Sequence, residues 1–242
     1  MEDALAKIRP HVSSNLPHQK TPAVLLAALE STFQEQKTER TSTAYFAALL
    51  TTLDGTIQKK DLGLNEGDVL PAELYLLAFI VPFVSHPIIR ANLNTIISLT
   101  APLFPALTSH APALRSQLSL YQNVLRAIDR SQLEAQGIRQ SFASILQLCI
   151  DPRPKVRKKG VEVIHDVISN PPAPLAIHPY SKRVADWAIA TLEEVSANPI
   201  PKSKNAKKEP NHSAETAIHL IAFLRQVLPH VPSTVSYSVF AI

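Results

Sequence analysis

The amino-acid sequence predicts an all-α fold, an α-solenoid of about nine helices stacked in pairs. Three observations lead there. Apolar residues recur at helical spacing along nearly the whole chain. The 242 residues contain 20 prolines and 5 glycines, and the prolines fall between apolar runs. Such prolines break and restart short helices, and so few glycines argue against tight hairpins and phosphate-cradling loops. Several segments are apolar on two faces, which suits a helix sandwiched between stacked neighbours and not one with a solvated side.

The elements follow in order. Residues 1–20 read as an N-terminal extension, and 21–230 as the helical array. In TPAVLLAALESTF, Leu25, Leu29 and Phe33 share a face. Thr21 is placed as N-cap and Pro22 as first helical residue of a helix over 22–36. In STAYFAALLTTLDGTI, the run Phe46, Leu49, Leu50, Leu53, Ile57 keeps one face and predicts a helix over 41–58. The segment LGLNEGDVLP (62–71) is a short acidic loop. The longest apolar run, Leu74 to Val84, has eleven residues, against about 20 needed to cross a bilayer. It is expected to be a buried helix, over 71–84, in a soluble protein.

Helices over 87–106, 111–128, 132–149 and 154–169 follow, joined by the proline-bearing turns VSHP, SHAPA and DPRP. In the helix over 179–197, Val184, Trp187, Ala188, Thr191 and Val195 form a core stripe. The last helix, 213–229, has one stripe of Ile218, Ile221 and Leu228 and a second of Leu220, Phe223 and Val227. Before it lies a polar, basic loop, 198–212; after it, 231–242 is irregular, and STVSYSVFAI offers one strand pattern without a partner. Helix pairs are expected to begin near 41, 87, 137 and 179. That interval is close to the 40 to 47 residues, roughly, of HEAT or armadillo units.

Net charge is +4, from 24 Lys and Arg against 20 Asp and Glu. This is only mildly basic and by itself does not imply nucleic acid; the placement of the charges says more. DPRPKVRKKG (151–160) carries two prolines, and five cations within the seven residues 153–159. Asp151 is expected to cap the following helix or to accept from the turn's backbone N–H groups. Pro152 and Pro154 end one helix and start the next, with Arg157 six residues after the acid. Val156, Val163 and Ile164 are expected in the core. Gly160 costs about 1 kcal/mol relative to Ala inside a helix, so this unit is slightly weak or unusually close-packed. Arg153, Lys155, Lys158 and Lys159 crowd one helix N-terminus, against its dipole. Either an anionic partner sits there, RNA phosphate being the obvious one, or the turn is simply solvated.

Catalytic chemistry has no footing. The sequence holds no phosphate loop, dinucleotide fingerprint, H-E-x-x-H or C-x-x-C. Neither cofactor nor metal is expected. His212 and His219 lack a third ligand, and Glu193 and Glu194 are adjacent and point apart. Cys149, the only cysteine, lies in an apolar run. It reads as a buried structural thiol, which excludes a disulfide framework and favours a reducing compartment. MEDALAKIRPHVSSN has no apolar signal-peptide core. Lys202, Lys204, Lys207 and Lys208 form either a nuclear-localisation or phosphate-contact segment, or an ordinary solvated linker.

LQLCIDPRPKVRKKG closely resembles the signature of the ribosomal RNA-processing protein twelve family. TERTSTAYFAALLTTLDGTI and LAKIRPHVSSNLPHQKTPAVLLAALESTF resemble its N-terminal region. The resemblance implies HEAT repeats, in which the turn's Asp and the Arg six residues later form ladders between stacked repeats. Gly160 departs from the Ala usual there. It implies a non-catalytic scaffold of pre-rRNA processing, small-subunit assembly and export in the nucleolus and nucleus, binding pre-ribosomal RNA and assembly factors. The other reading is a protein-only adaptor of nuclear transport-receptor type. Family members carry many more repeats, so the chain is expected to be a fragment with an exposed apolar face at Ile218–Leu228.

Overall fold

The structure, a computed structural model, describes residues 1–59, 63–65, 67–197 and 212–232. Helices and turns account for the secondary structure, with no strand among the described residues. The contacts divide the chain into two compact units. The first comprises Met1–Ile128 with Gln136–Ile138, and the second Asp129–Ala135 with Arg139–Ile242.

In the first unit run α1 (Glu2–Leu5), α2 (Pro17–Glu35), α3 (Ser42–Ile57), α4 (Val69–Ile80), α5 (His86–Ala91), α6 (Leu93–Thr100), α7 (Leu103–Ala106) and α8 (Ala111–Ala127). α4 is its centre, with α2, α3 and α8 packed on it. Its leucines face several directions at once: Leu70, Leu74 and Leu77 are fully buried, and Leu76 and Ile80 nearly so. Leu5 and Ile8 are buried as well, so the first residues are part of this core.

α9 (Arg130–Leu133), α10 (Gln136–Leu148), α11 (Pro154–Ser169), α12 (Ser181–Ala197) and α13 (His212–Val227) follow. The second unit holds α9, most of α10 and the rest. α13 packs on both α11 and α12. Val156, Val163 and Ile164 are fully buried, as expected, and so are Val184 and Ala188. Trp187 lies half-buried, edge-on to Phe223 at 5.6 Å. Cys149 is fully buried, and burial pushes its thiol well above the ordinary range.

Helical segments fall in all nine expected ranges, two of which are subdivided. The helices that open each expected pair start at Ser42, His86, Gln136 and Ser181. Three boundaries differ. α2 starts at Pro17 and not at Pro22. The earlier proline supplies the preset φ of the first turn. Pro22 is buried inside the helix, and Thr21, expected as cap, donates its hydroxyl to the Gly67 carbonyl at 2.8 Å. The expected 87–106 helix is divided into α5, α6 and α7. Asn92 leaves helical geometry at φ −100°, ψ 9°, and its side-chain amide donates to the Ile88 carbonyl at 2.9 Å. Pro102 and Pro105 lack the N–H that would carry the helix on. The expected 132–149 helix is divided into α9 and α10, because Asp129 and Gln132 close a capping box around one short turn.

Candidate nucleic-acid interface

The basic turn joins α10 to α11. Pro154 opens α11 and Arg153 takes the N-cap position without a side-chain cap. Asp151 therefore does not cap the helix; of the two roles the sequence allowed, it takes the turn. Its carboxylate accepts from the Arg153 backbone N–H at 2.8 Å and from the Arg153 guanidinium at 2.8 and 2.7 Å. Burial works to raise the Asp151 pKa, but the bonds from Arg153 outweigh it and hold the carboxyl below its usual range. Arg157 donates to the carbonyls of Asp151, at 2.7 Å, and Pro152, at 3.2 Å. Both arginines thus serve the turn itself: Arg157 binds backbone where the resemblance implied a ladder of carboxylates.

The four cations left over by the turn argument separate. Arg153 is tied to Asp151, and Lys159 pairs with Glu162 at 2.8 Å. Lys155 and Lys158 are exposed, with no ion pair among the described residues. One helical turn apart, they sit on the first two turns of α11, where the helix end adds to the positive potential. Lys202, Lys204, Lys207 and Lys208 lie outside the described residues.

Gly160 explains why α11 sits so close to the preceding turn. A Cβ there would come within 3.1–3.2 Å of backbone atoms of Leu148 and Cys149. Of the two readings, close packing is the one realised.

A groove of about 420 Å³ lies between α11 and α13, with Arg157, Lys158, His165 and His219 among its lining residues. Burial first, then the Arg157 charge, lowers the His219 pKa. Sequence spacing had grouped His219 with His212 instead; the link to Arg157 spans sixty-two positions and leaves no local pattern. Among the described residues no three His, Cys, Asp or Glu side chains gather to hold a metal ion, and no helix is long and apolar enough to cross a membrane. On α13, Leu220, Phe223 and Val227 are fully buried, while Ile218 and Ile221 are 64% and 62% exposed.

Comparison with known proteins adds a family. The model described as RRP12-like, N-terminal HEAT repeats matches residues 7–241. Ribosomal RNA-processing protein 12 of Saccharomyces cerevisiae is 29% identical over 236 residues, covering 91% of this chain and 19% of that protein. A putative ribosomal RNA-processing protein 12 of Schizosaccharomyces pombe is 28% identical over 78% of this chain and 16% of its own length. A human RRP12-like protein is 27% identical over 94% of this chain and 16% of its own. The chain spans less than a fifth of the length of these relatives. No solved structure matches it.

Proposed function

The chain belongs to the RRP12-like family, within its N-terminal HEAT repeats, and on that footing we propose that it is a non-catalytic scaffold of ribosome biogenesis. In this reading it serves pre-rRNA processing, small-subunit assembly and export, in the nucleolus and nucleus, by binding pre-ribosomal RNA and assembly factors. The observation that supports RNA contact is the start of α11. Lys155 and Lys158 are exposed there, and the neighbouring carboxylates Asp151 and Glu162 are already engaged by Arg153 and Lys159. RNA phosphate is the matching counter-charge. Such contacts position a protein without reading sequence, so binding falls steeply with salt and is nearly indifferent to sequence. Lys155 and Lys158 make the direct contacts. Arg153 and Lys159 add field, and Lys202, Lys204, Lys207 and Lys208 provide a second basic segment.

Gradient sedimentation of the tagged chain from cell extract, with and without RNase, tests this. Wild type is expected with small-subunit precursor RNA, and the Lys155→Glu, Lys158→Glu double variant at the top of the gradient. Co-sedimentation that survives both RNase and the double substitution would overturn RNA contact. It would favour the adaptor of transport-receptor type, which the exposed Ile218 and Ile221 also support.

A further inference from the structure

The first unit contains a groove that the RNA reading does not use. It runs along α4 between α2 and α8, as a hollow of about 660 Å³ that continues into a shallower one of about 350 Å³. Both share Tyr75, Pro112, Arg115 and Ser116. From Asp68 to Phe79 the floor follows α4 for roughly 17 Å at the helical rise. That is the reach of about five extended residues.

Two features of this groove lack a structural purpose. Tyr75 is 42% exposed, its ring tilted beside that of Phe79 at 6.1 Å. Tyr75 thus lines the groove as an exposed aromatic on a helix whose leucines and Ile80 are committed to the core. Arg115 is the second. Its Nε is buried and has no hydrogen-bond partner, and no carboxylate pairs with the guanidinium among the described residues. A buried N–H left unmet is costly. A carboxylate arriving in the groove would find the partly exposed guanidinium without an acid, and the fork donates two parallel bonds to such a group. Asp68, the acid at the other end, accepts from the Asn65 backbone N–H and is not directed at Arg115.

We propose that this groove docks an extended segment of a partner protein, setting an aromatic or proline side chain on Tyr75 and a carboxylate on Arg115. A nucleic-acid strand fits the same groove less well. It brings a phosphate with every nucleotide and needs a row of cations, whereas Arg115 is the one Lys or Arg in a lining that holds Pro71, Ala72 and Pro112, the acid Asp68 and three histidines, His11, His18 and His110. A peptide needs one cation and an apolar floor. The proposal does not rest on the lysines of α11.

The test is a phage-displayed library of random twelve-residue peptides panned on the purified chain. The enriched sequence, synthesised with fluorescein, is then titrated by anisotropy against wild type, Tyr75→Ala, Arg115→Glu and the Lys155→Glu, Lys158→Glu variant. Circular dichroism confirms that each is folded. The expected peptides carry an acidic residue within four positions of an aromatic or proline. Affinity is expected to fall at least tenfold (order of magnitude for losing a charged hydrogen bond) in Tyr75→Ala and in Arg115→Glu, and to stay unchanged in the lysine variant. Three results would each overturn the proposal: no enrichment, an enriched sequence without acid, or binding indifferent to both groove substitutions. Fluorescein-labelled oligouridylate that binds wild type and loses affinity in Arg115→Glu would reassign the groove to nucleic acid.

Discussion

Glu30 and Asp151 are both carboxylates held by arginine, one in each unit, and they are held in opposite ways. Glu30 is satisfied from afar. Arg9, twenty-one residues earlier, reaches it at 2.8–3.2 Å, and the Tyr45 hydroxyl, fifteen residues later, donates at 2.7 Å. Arg40 stands at 3.7 Å. Burial raises the Glu30 pKa, but the bonds from Arg9 and Tyr45 outweigh it and hold it below the usual range, while burial pushes Tyr45 up to about 12. Asp151 is satisfied within six residues, by Arg153 at its side chain and Arg157 at its carbonyl. The first arrangement ties the N-terminal turn and α3 to α2. The second shapes only a turn and leaves Lys155 and Lys158 exposed. The difference is between an acid that stabilises tertiary structure and one that organises a surface.

The comparison breaks most visibly at Glu30. Glu30→Ala leaves Arg9 with Glu2 alone, at 2.7 Å, and strands the buried Tyr45 hydroxyl; it is expected to cost about 3 kcal/mol, read as a lower midpoint in urea. Acidification acts the same way. The Glu30 pKa is lowered on folding, so its contribution is present above the unfolded value and lost as pH falls below about 4.

Glu73 sharpens the contrast, as a buried carboxyl with no arginine. One oxygen accepts from Thr56 at 2.9 Å, the other has no partner, and burial pushes the pKa up to about 7. Here the sign reverses: the folded state holds the proton more tightly, so stability is full below the unfolded value and falls as pH rises toward 7. Glu73→Gln is expected to flatten thermal-unfolding curves between pH 5 and 8 by roughly 2 kcal/mol.

Smaller effects belong to the turn. Gly160→Ala gains about 1 kcal/mol of helix propensity but presses a methyl on the Leu148 and Cys149 backbone, for a net loss of about 1 kcal/mol. Asp151→Ala is expected to cost about 1 kcal/mol, well short of Glu30→Ala. Equal losses in denaturant titrations would erase the distinction between the two acids. Lys155→Glu with Lys158→Glu is expected to leave stability within about 0.5 kcal/mol while abolishing RNA co-sedimentation.

Much of this was legible in advance where the cause is local. The apolar period marked α3, α11 and α12, and the two stripes of α13 became one buried and one exposed face. The acid, prolines and arginine of 151–157 announced a turn because all its bonds close within that stretch. The start of α2 is not legible locally, because Thr21 answers to Gly67, forty-six residues away. The division at Asn92 is equally hidden, because an Asn inside an apolar period carries no distinguishing mark.

The sequence by itself determined helix content and the basic turn, since these depend on spacing within a few turns of chain, and the family through the resemblance of whole segments. Only the tertiary structure decided which charges are already spent. Arg153 and Lys159 look the same as Lys155 and Lys158 when written in a row, and Arg115 looks like any surface cation. Whether a cation is paired, exposed or buried without a partner depends on distances set by packing, and Coulomb energy and desolvation follow those distances, not the order of residues.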